Sequence, residues 1–295
     1  MKKSLFKGSG VAIVTPFHAN GEINFDEFER LIEFQLENNT DALIVCGSTG
    51  EGSTLTYDER DALIACAVQK VAGRIPVIGG CGSNSTDNAL RLSQGAKASG
   101  ADALLSVSPF YNKPTHRGLI EHYTKIAKTV DLPIILYNIP GRTGSNIEPA
   151  TMLELSKIDN ISGVKESAGD IVQVARIAAL CGDNFDIYAG NDNEILPVLA
   201  LGGKGTISAL ANIAPKNVNE MVHSYLRGEH EKARKLQLNA IQLIDMIFCE
   251  TNPIPVKAAL NAMGYNVGGY RLPLTAMNPE NFKYLEAVME DYGLL

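Results

Sequence analysis

Val11-Ala12-Ile13-Val14 runs straight into Thr15-Pro16-Phe17-His18, and that junction separates the two folds open to this chain. A short apolar run closed by a proline turn reads as a buried strand. Seven similar runs follow, at Ala42–Val45, Pro76–Ile78, Ala103–Val107, Ile134–Tyr137, Ile161–Lys165, Phe185–Tyr188 and Gly205–Ile207. They are nearly continuous rather than alternating, as expected for parallel strands covered on both faces. Eight β/α alternations over about 230 residues have the size of a (β/α)8 barrel, the TIM barrel. A doubly wound open sheet would carry a glycine-rich dinucleotide loop after its first strand. Thr15-Pro16-Phe17-His18 contains no glycine, so the α/β barrel is the expected fold.

Helical patterns fill the gaps. Phe28, Leu31, Ile32 and Leu36 share one face, with Asn24 and Glu27 spaced as a capping box, and Thr56 and Glu59 open the next helix in the same way. Further helices are expected at 84–98, 115–128, 149–158, 169–181, 192–200 and 215–227. Beyond residue 227 the strands stop, and three helical segments follow near 229–249, 253–263 and 278–291. The expected division is a barrel over 1–227 and a C-terminal helical appendage over 228–295.

The chain has 295 residues, 45% hydrophobic and 20% charged, with a net charge of -7 and no basic run. That balance argues against nucleic acid or anionic membrane as a partner. Met1 to Gly8 lacks an apolar core of signal-peptide length, and no window approaches the ~18 apolar residues of a membrane span. Cys46, Cys66, Cys81, Cys181 and Cys249 form an odd set without CxxC pairs, which suits free buried thiols. A soluble cytoplasmic protein is expected.

Active-site groups in such a barrel come from strand C-terminal ends and the loops that follow. Strand 6 ends in Lys165. A strand-end amine partly withdrawn from water is less readily charged, and a neutral amine attacks carbonyl carbon. An ordinary lysine reaching solvent, or pairing with Glu166, is the alternative. After strand 2 comes Gly47-Ser48-Thr49-Gly50-Glu51-Gly52-Ser53, one residue short of a phosphate-binding P-loop because Ser53 stands where the lysine belongs. What remains is either a plain glycine-rich turn or a nest in which two hydroxyls and backbone N–H groups hold a carboxylate.

Tyr137 ends strand 5 and Tyr111 follows strand 4. Each is core by default, yet a tyrosine hydroxyl can move protons when it shares the lysine's cavity. Arg142, in the Pro-Gly turn after Tyr137, is either a surface residue or a bidentate clamp on a carboxylate. His18, His116, His122, His223 and His230 show no metal-ligand spacing. No metal and no cofactor is expected. An amine nucleophile, a hydroxyl relay and cationic carboxylate recognition suit carbon–carbon chemistry through a Schiff base.

Gly47-Ser48-Thr49-Gly50-Glu51, Tyr137-Asn138-Ile139-Pro140-Gly141-Arg142-Thr143-Gly144 and Gly163-Val164-Lys165-Glu166 resemble the signatures of the dihydrodipicolinate synthase/N-acetylneuraminate lyase family. The similarity extends from Gly8-Ser9-Gly10 to the C-terminal helices. It implies that Lys165 forms an imine with C2 of pyruvate, and that the derived enamine attacks L-aspartate 4-semialdehyde to give 4-hydroxy-tetrahydrodipicolinate on the diaminopimelate route to lysine. It further implies proton transfer by Tyr137, helped by Thr49 or Ser48 and by a Tyr111 supplied by the neighbouring subunit of a tight dimer. Two such dimers would form a homotetramer. Arg142 would take the semialdehyde carboxylate, and Gly190 and Ile207 would line the pyruvate site. Members that cleave 2-keto-3-deoxy sugar acids or N-acetylneuraminate keep the lysine and the tyrosine but typically lack the arginine. A non-catalytic sensor on the same barrel would need none of these side chains.

Two departures matter. Many synthases have Thr-Thr where this chain has Ser48-Thr49, which keeps both hydroxyls and loses one methyl that restricts rotamers. In members that lysine inhibits, histidines often follow this loop, with a glutamate after strand 3 and a tyrosine before the Tyr111 position. Here Tyr57, Arg60, Asn88 and Phe110 stand in those places, although Asn84 matches. Little or no inhibition by lysine is expected.

Overall fold

The computed structural model describes residues 4–295. Eight parallel strands close into a barrel in sequence order: β1 (Gly8–Ala12), β2 (Ala42–Val45), β3 (Val77–Gly80), β4 (Ala103–Val107), β5 (Ile134–Asn138), β6 (Ile161–Glu166), β7 (Asp186–Ala189) and β8 (Gly205–Ser208). β8 returns to β1 with Gly8 opposite Gly205 and Gly10 opposite Ile207. Between the strands run α1 (Phe25–Glu37), α2 (Tyr57–Val71), α3 (Thr86–Ala98), α4 (His116–Thr129), α5 (Pro140–Thr143), α6 (Pro149–Ser156), α7 (Ile171–Cys181) and α8 (Ile195–Ala200). α9 (Pro215–Leu226) follows the last strand, and α10 (His230–Ile247), α11 (Ile254–Ala262) and α12 (Pro279–Tyr292) follow it. No described helix is long and apolar enough to cross a membrane.

The eight expected strands are all present, with one clear displacement. The first lies at Gly8–Ala12 rather than Val11–Val14. Hydropathy misses Gly8-Ser9-Gly10 because the closure of the barrel needs smallness there, not apolarity. A Cβ on Gly10 would come within 3.0 Å of Ile44 and of the Phe6 ring, and one on Gly205 would lie 1.9 Å from Gly8 O. The Thr56–Glu59 capping box forms in full. At α1 only half of one forms: Asn24 accepts from Glu27 N, while the Glu27 carboxylate turns to Arg30. The segment read as a Pro-Gly turn is the short helix α5, started by Pro140 and closed by Gly144 at φ 67. Of the five free cysteines, Cys46 and Cys81 are buried but Cys249 is exposed, so the expectation of buried thiols fails there.

Side chains alternate across each strand. Ile135 and Tyr137 on β5 join Ile44, Ile78, Leu105, Tyr188 and Ile207 inside the barrel, whereas Ile134 and Leu136 pack outward against the helices. Phe6 fills the N-terminal end, stacked at 4.4 Å on Tyr188, whose hydroxyl donates to Phe6 O. The interior is therefore packed at one end, and the inward residues at the other end are the ones free to do chemistry.

Candidate active site

Tyr137 and Lys165 are register partners on β5 and β6, so both point into the barrel at its C-terminal end. Lys165 is 6% exposed, and its Nζ stands 4.4 Å from the centre of the Tyr137 ring. Glu166, next along the strand, faces the other way. Its carboxylate accepts from Asn138 Nδ2, Ala168 N and Gln173 Nε2, and burial pushes its pKa up to about 7 against those bonds. The pairing of Lys165 with Glu166 is thereby ruled out by the pleat of the strand. Gly190 lies against the lysine, where a Cβ would meet Lys165 Cε at 3.0 Å and Ser167 Oγ at 1.9 Å. Only glycine fits beside the lysine stem. Ile207 is fully buried in the barrel interior.

The loop after β2 is a tight turn clamped from several sides. Gly52 N donates to Gly47 O, Glu51 N to Ser48 O, and Thr15 Oγ1 to Gly50 O at 2.7 Å. Glu51 takes a left-handed conformation at φ 53, which its environment secures. Its carboxylate pairs at 2.8 Å with Lys257 of α11, and both side chains are buried. Lys257 Nζ also donates to Thr15 O and Gly269 O and lies over the Phe17 ring. Glu51 Oε2 accepts from Arg271 N. The C-terminal helices thus hold the hydroxyl-bearing loop through a buried, fully hydrogen-bonded charge pair.

This anchoring separates the two neighbouring hydroxyls. Thr49 is buried, and its Oγ1 accepts from Asn252 Nδ2 at 2.9 Å. Ser48 lines two cavities that meet at it. The larger, about 820 Å³, is bordered by Arg142, Thr143, Cys249, Glu250 and Asn252. The smaller, about 420 Å³, is bordered by Tyr137, Arg60, Tyr57, Asn88 and Phe110. Lys165 lines neither, whereas Tyr137, which packs against it, lines the smaller one. Arg142 is exposed on α5, and its Nη2 donates to Asn252 O at 2.9 Å. Tyr111 stands apart: it is 89% exposed, has φ 70, and lines neither cavity.

Sequence patterns missed Asn252 and Lys257. Lys257 left a trace as the lone charge in Ile254-Pro255-Val256-Lys257-Ala258-Ala259-Leu260, an apolar helix that has no reason to bury an unpaired ammonium. Asn252 left none, since its partner Thr49 is 203 residues away.

Chemically, the arrangement offers a buried amine beside a phenol, a serine hydroxyl facing open space, and a guanidinium at the wall of the larger cavity. The model of the Dihydrodipicolinate synthetase family matches residues 5–291. The 4-hydroxy-tetrahydrodipicolinate synthase of Thermoanaerobacter sp. (strain X514) is 54% identical over 292 residues, 99% of this chain and 98% of that protein. The protein of the same name from Acetivibrio thermocellus is 50% identical over the full length of both chains. A crystal structure of dihydrodipicolinate synthase from Thermotoga maritima superposes with a TM-score of 0.97 at 43% identity, covering 99% of this chain and all of that one.

Proposed function

The chain belongs to the dihydrodipicolinate synthetase family, and from that premise we propose how its residues carry the reaction. It is a lyase of lysine and diaminopimelate biosynthesis that condenses pyruvate with L-aspartate 4-semialdehyde to give 4-hydroxy-tetrahydrodipicolinate. The Lys165 amine adds to C2 of pyruvate and water leaves, forming an imine. The protonated imine is an electron sink, so a C3 proton passes to the Tyr137 oxygen as that hydroxyl hands its own proton on through Ser48 toward the open site, and an enamine forms. C3 of the enamine bonds to the aldehyde carbon, whose oxygen takes up a proton. The α-amine of the semialdehyde portion then displaces Lys165 from C2, closing the ring and restoring the free lysine.

Ser48, facing both cavities, is the relay hydroxyl nearest the open site, and Thr49 beside it holds the turn. Arg142 receives the semialdehyde carboxylate as a planar clamp. Gly190 and Ile207 line the pyruvate end. Tyr111 acts in the neighbouring subunit of a tight dimer, two of which make a homotetramer, and its 89% exposure supports that role. We take 1–227 as the catalytic barrel, 228–295 as its helical appendage, and the cytoplasm as its location.

The observation that carries this reading is the Lys165–Tyr137 pair at 4.4 Å. Arg142 at the wall of the larger cavity favours a carboxylate-bearing aldehyde over a sugar-acid substrate. Turnover of pyruvate with aspartate 4-semialdehyde should far exceed cleavage of N-acetylneuraminate or a 2-keto-3-deoxy sugar acid. The reverse order would reject the assignment.

A further inference from the structure

Ser48-Thr49 and Arg142 hang from different strand ends, β2 and β5, yet a single residue of the C-terminal helical region reaches both. Asn252 lies between α10 and α11 and is 7% exposed. Its Nδ2 donates to Thr49 Oγ1 at 2.9 Å, and its main-chain oxygen accepts from Arg142 Nη2 at 2.9 Å. Among the described residues no other side chain is hydrogen-bonded to that threonine hydroxyl. The carboxamide oxygen Oδ1 is buried without a partner. A half-satisfied buried amide costs stability, and such groups persist where their other contacts serve the site.

Thr49 adjoins Ser48, which lines both cavities, and Arg142 and Asn252 line the larger one together. The structure assigns Asn252 as a positioning residue that fixes the Ser48-Thr49 turn relative to the Arg142 guanidinium. Its hydrogen bonds run to Thr49 and Arg142. Its work is geometric: it sets the separation between the hydroxyls at the pyruvate end and the clamp for the second substrate, and carbon–carbon bond formation is sensitive to about an ångström of misplacement. This inference rests on the function proposed above.

The two contacts differ in kind, which makes them separable. Asn252→Ala deletes the bond to Thr49 and keeps the main-chain oxygen that holds Arg142. The rate at which borohydride traps pyruvate on the protein, and kcat/KM for pyruvate, should fall about tenfold. The KM for aspartate 4-semialdehyde should stay within about twofold of wild type. Thr49→Val removes the same bond from the other side, so the double variant should be no slower than Thr49→Val alone. Losses that multiply in the double variant overturn the proposal. So does trapping at the wild-type rate in Asn252→Ala, or a semialdehyde KM that rises in step with that for pyruvate. Each of those results leaves the wild-type reaction standing. Wild-type protein that traps no pyruvate would overturn the function reading, and this proposal with it.

Discussion

Lys165 and Tyr137 face each other across neighbouring strands, with the lysine Nζ 4.4 Å from the centre of the tyrosine ring. The ring packs against the lysine side chain, and in the mechanism proposed above the hydroxyl at the ring's edge carries a proton once the imine forms. These two functions of one side chain can be separated by mutation.

Tyr137→Phe keeps the ring and removes only the hydroxyl. Because positioned acid–base groups contribute about 10²–10⁴-fold, kcat should fall by roughly 100-fold or more. Pyruvate should still form its adduct on Lys165, more slowly. Single-turnover kinetics with mass detection of the adduct distinguishes the loss of proton transfer from the loss of the nucleophile.

Arg142→Ala should raise the KM for aspartate 4-semialdehyde by roughly 10- to 100-fold, the span of one charge-assisted hydrogen-bonded pair. Arg142→Lys should recover little of it, because an ammonium cannot reproduce the planar fork. Steady-state kinetics with each substrate varied in turn gives the test, and the KM for pyruvate should hardly move.

The Lys257–Glu51 pair is a stability determinant as well as an anchor. Lys257→Met leaves Glu51 buried without its cation, and breaking such a pair costs about 3–5 kcal/mol. Lys257→Met combined with Glu51→Leu should regain part of that loss. Urea unfolding at neutral pH measures both differences.

Glu166 gives a pH signature. Burial lifts its pKa from 4.5 to about 7 in the folded protein, so the native state binds this proton more tightly than the unfolded chain does. The associated stability is fully present below pH 4.5 and is lost as pH rises through about 7. Glu166→Gln should flatten that part of the stability–pH curve. Urea midpoints across this window, wild type against variant, show whether the slope belongs to Glu166.

Free lysine should not inhibit. Tyr57, Arg60, Asn88 and Phe110 line the smaller cavity together, and no aspartate or glutamate does. Arg60 is itself buried there, with its guanidinium donating to Gly52 O and Gly80 O. A second cation would meet like charge and no carboxylate. Initial rates measured with added lysine at cellular concentrations check this, and strong inhibition would contradict the account.

Much of this architecture is legible in residue order, and the gaps have physical causes. Buried parallel strands announce themselves as apolar runs, and Lys165 stands out because it ends one of them. β1 is displaced because Gly8, Ser9 and Gly10 are chosen for the space they leave, which hydropathy does not register. Ser48 and Thr49 are equivalent as letters, and only the contact from Asn252 tells the tied hydroxyl from the one facing open space. Asn252 and Lys257 act on the site from the far end of the chain, through tertiary hydrogen bonds that no local pattern encodes. Tyr111 is exposed and outside both cavities, a placement that the letters around it do not announce.

The central claim is that Lys165 is the nucleophile. Wild-type protein incubated with pyruvate and borohydride, digested and analysed by mass spectrometry, should carry one reduced adduct per chain, on Lys165. Lys165→Ala, folded as judged by its unfolding midpoint, should carry none. An adduct on any other lysine, or no adduct on the wild type, would contradict the account.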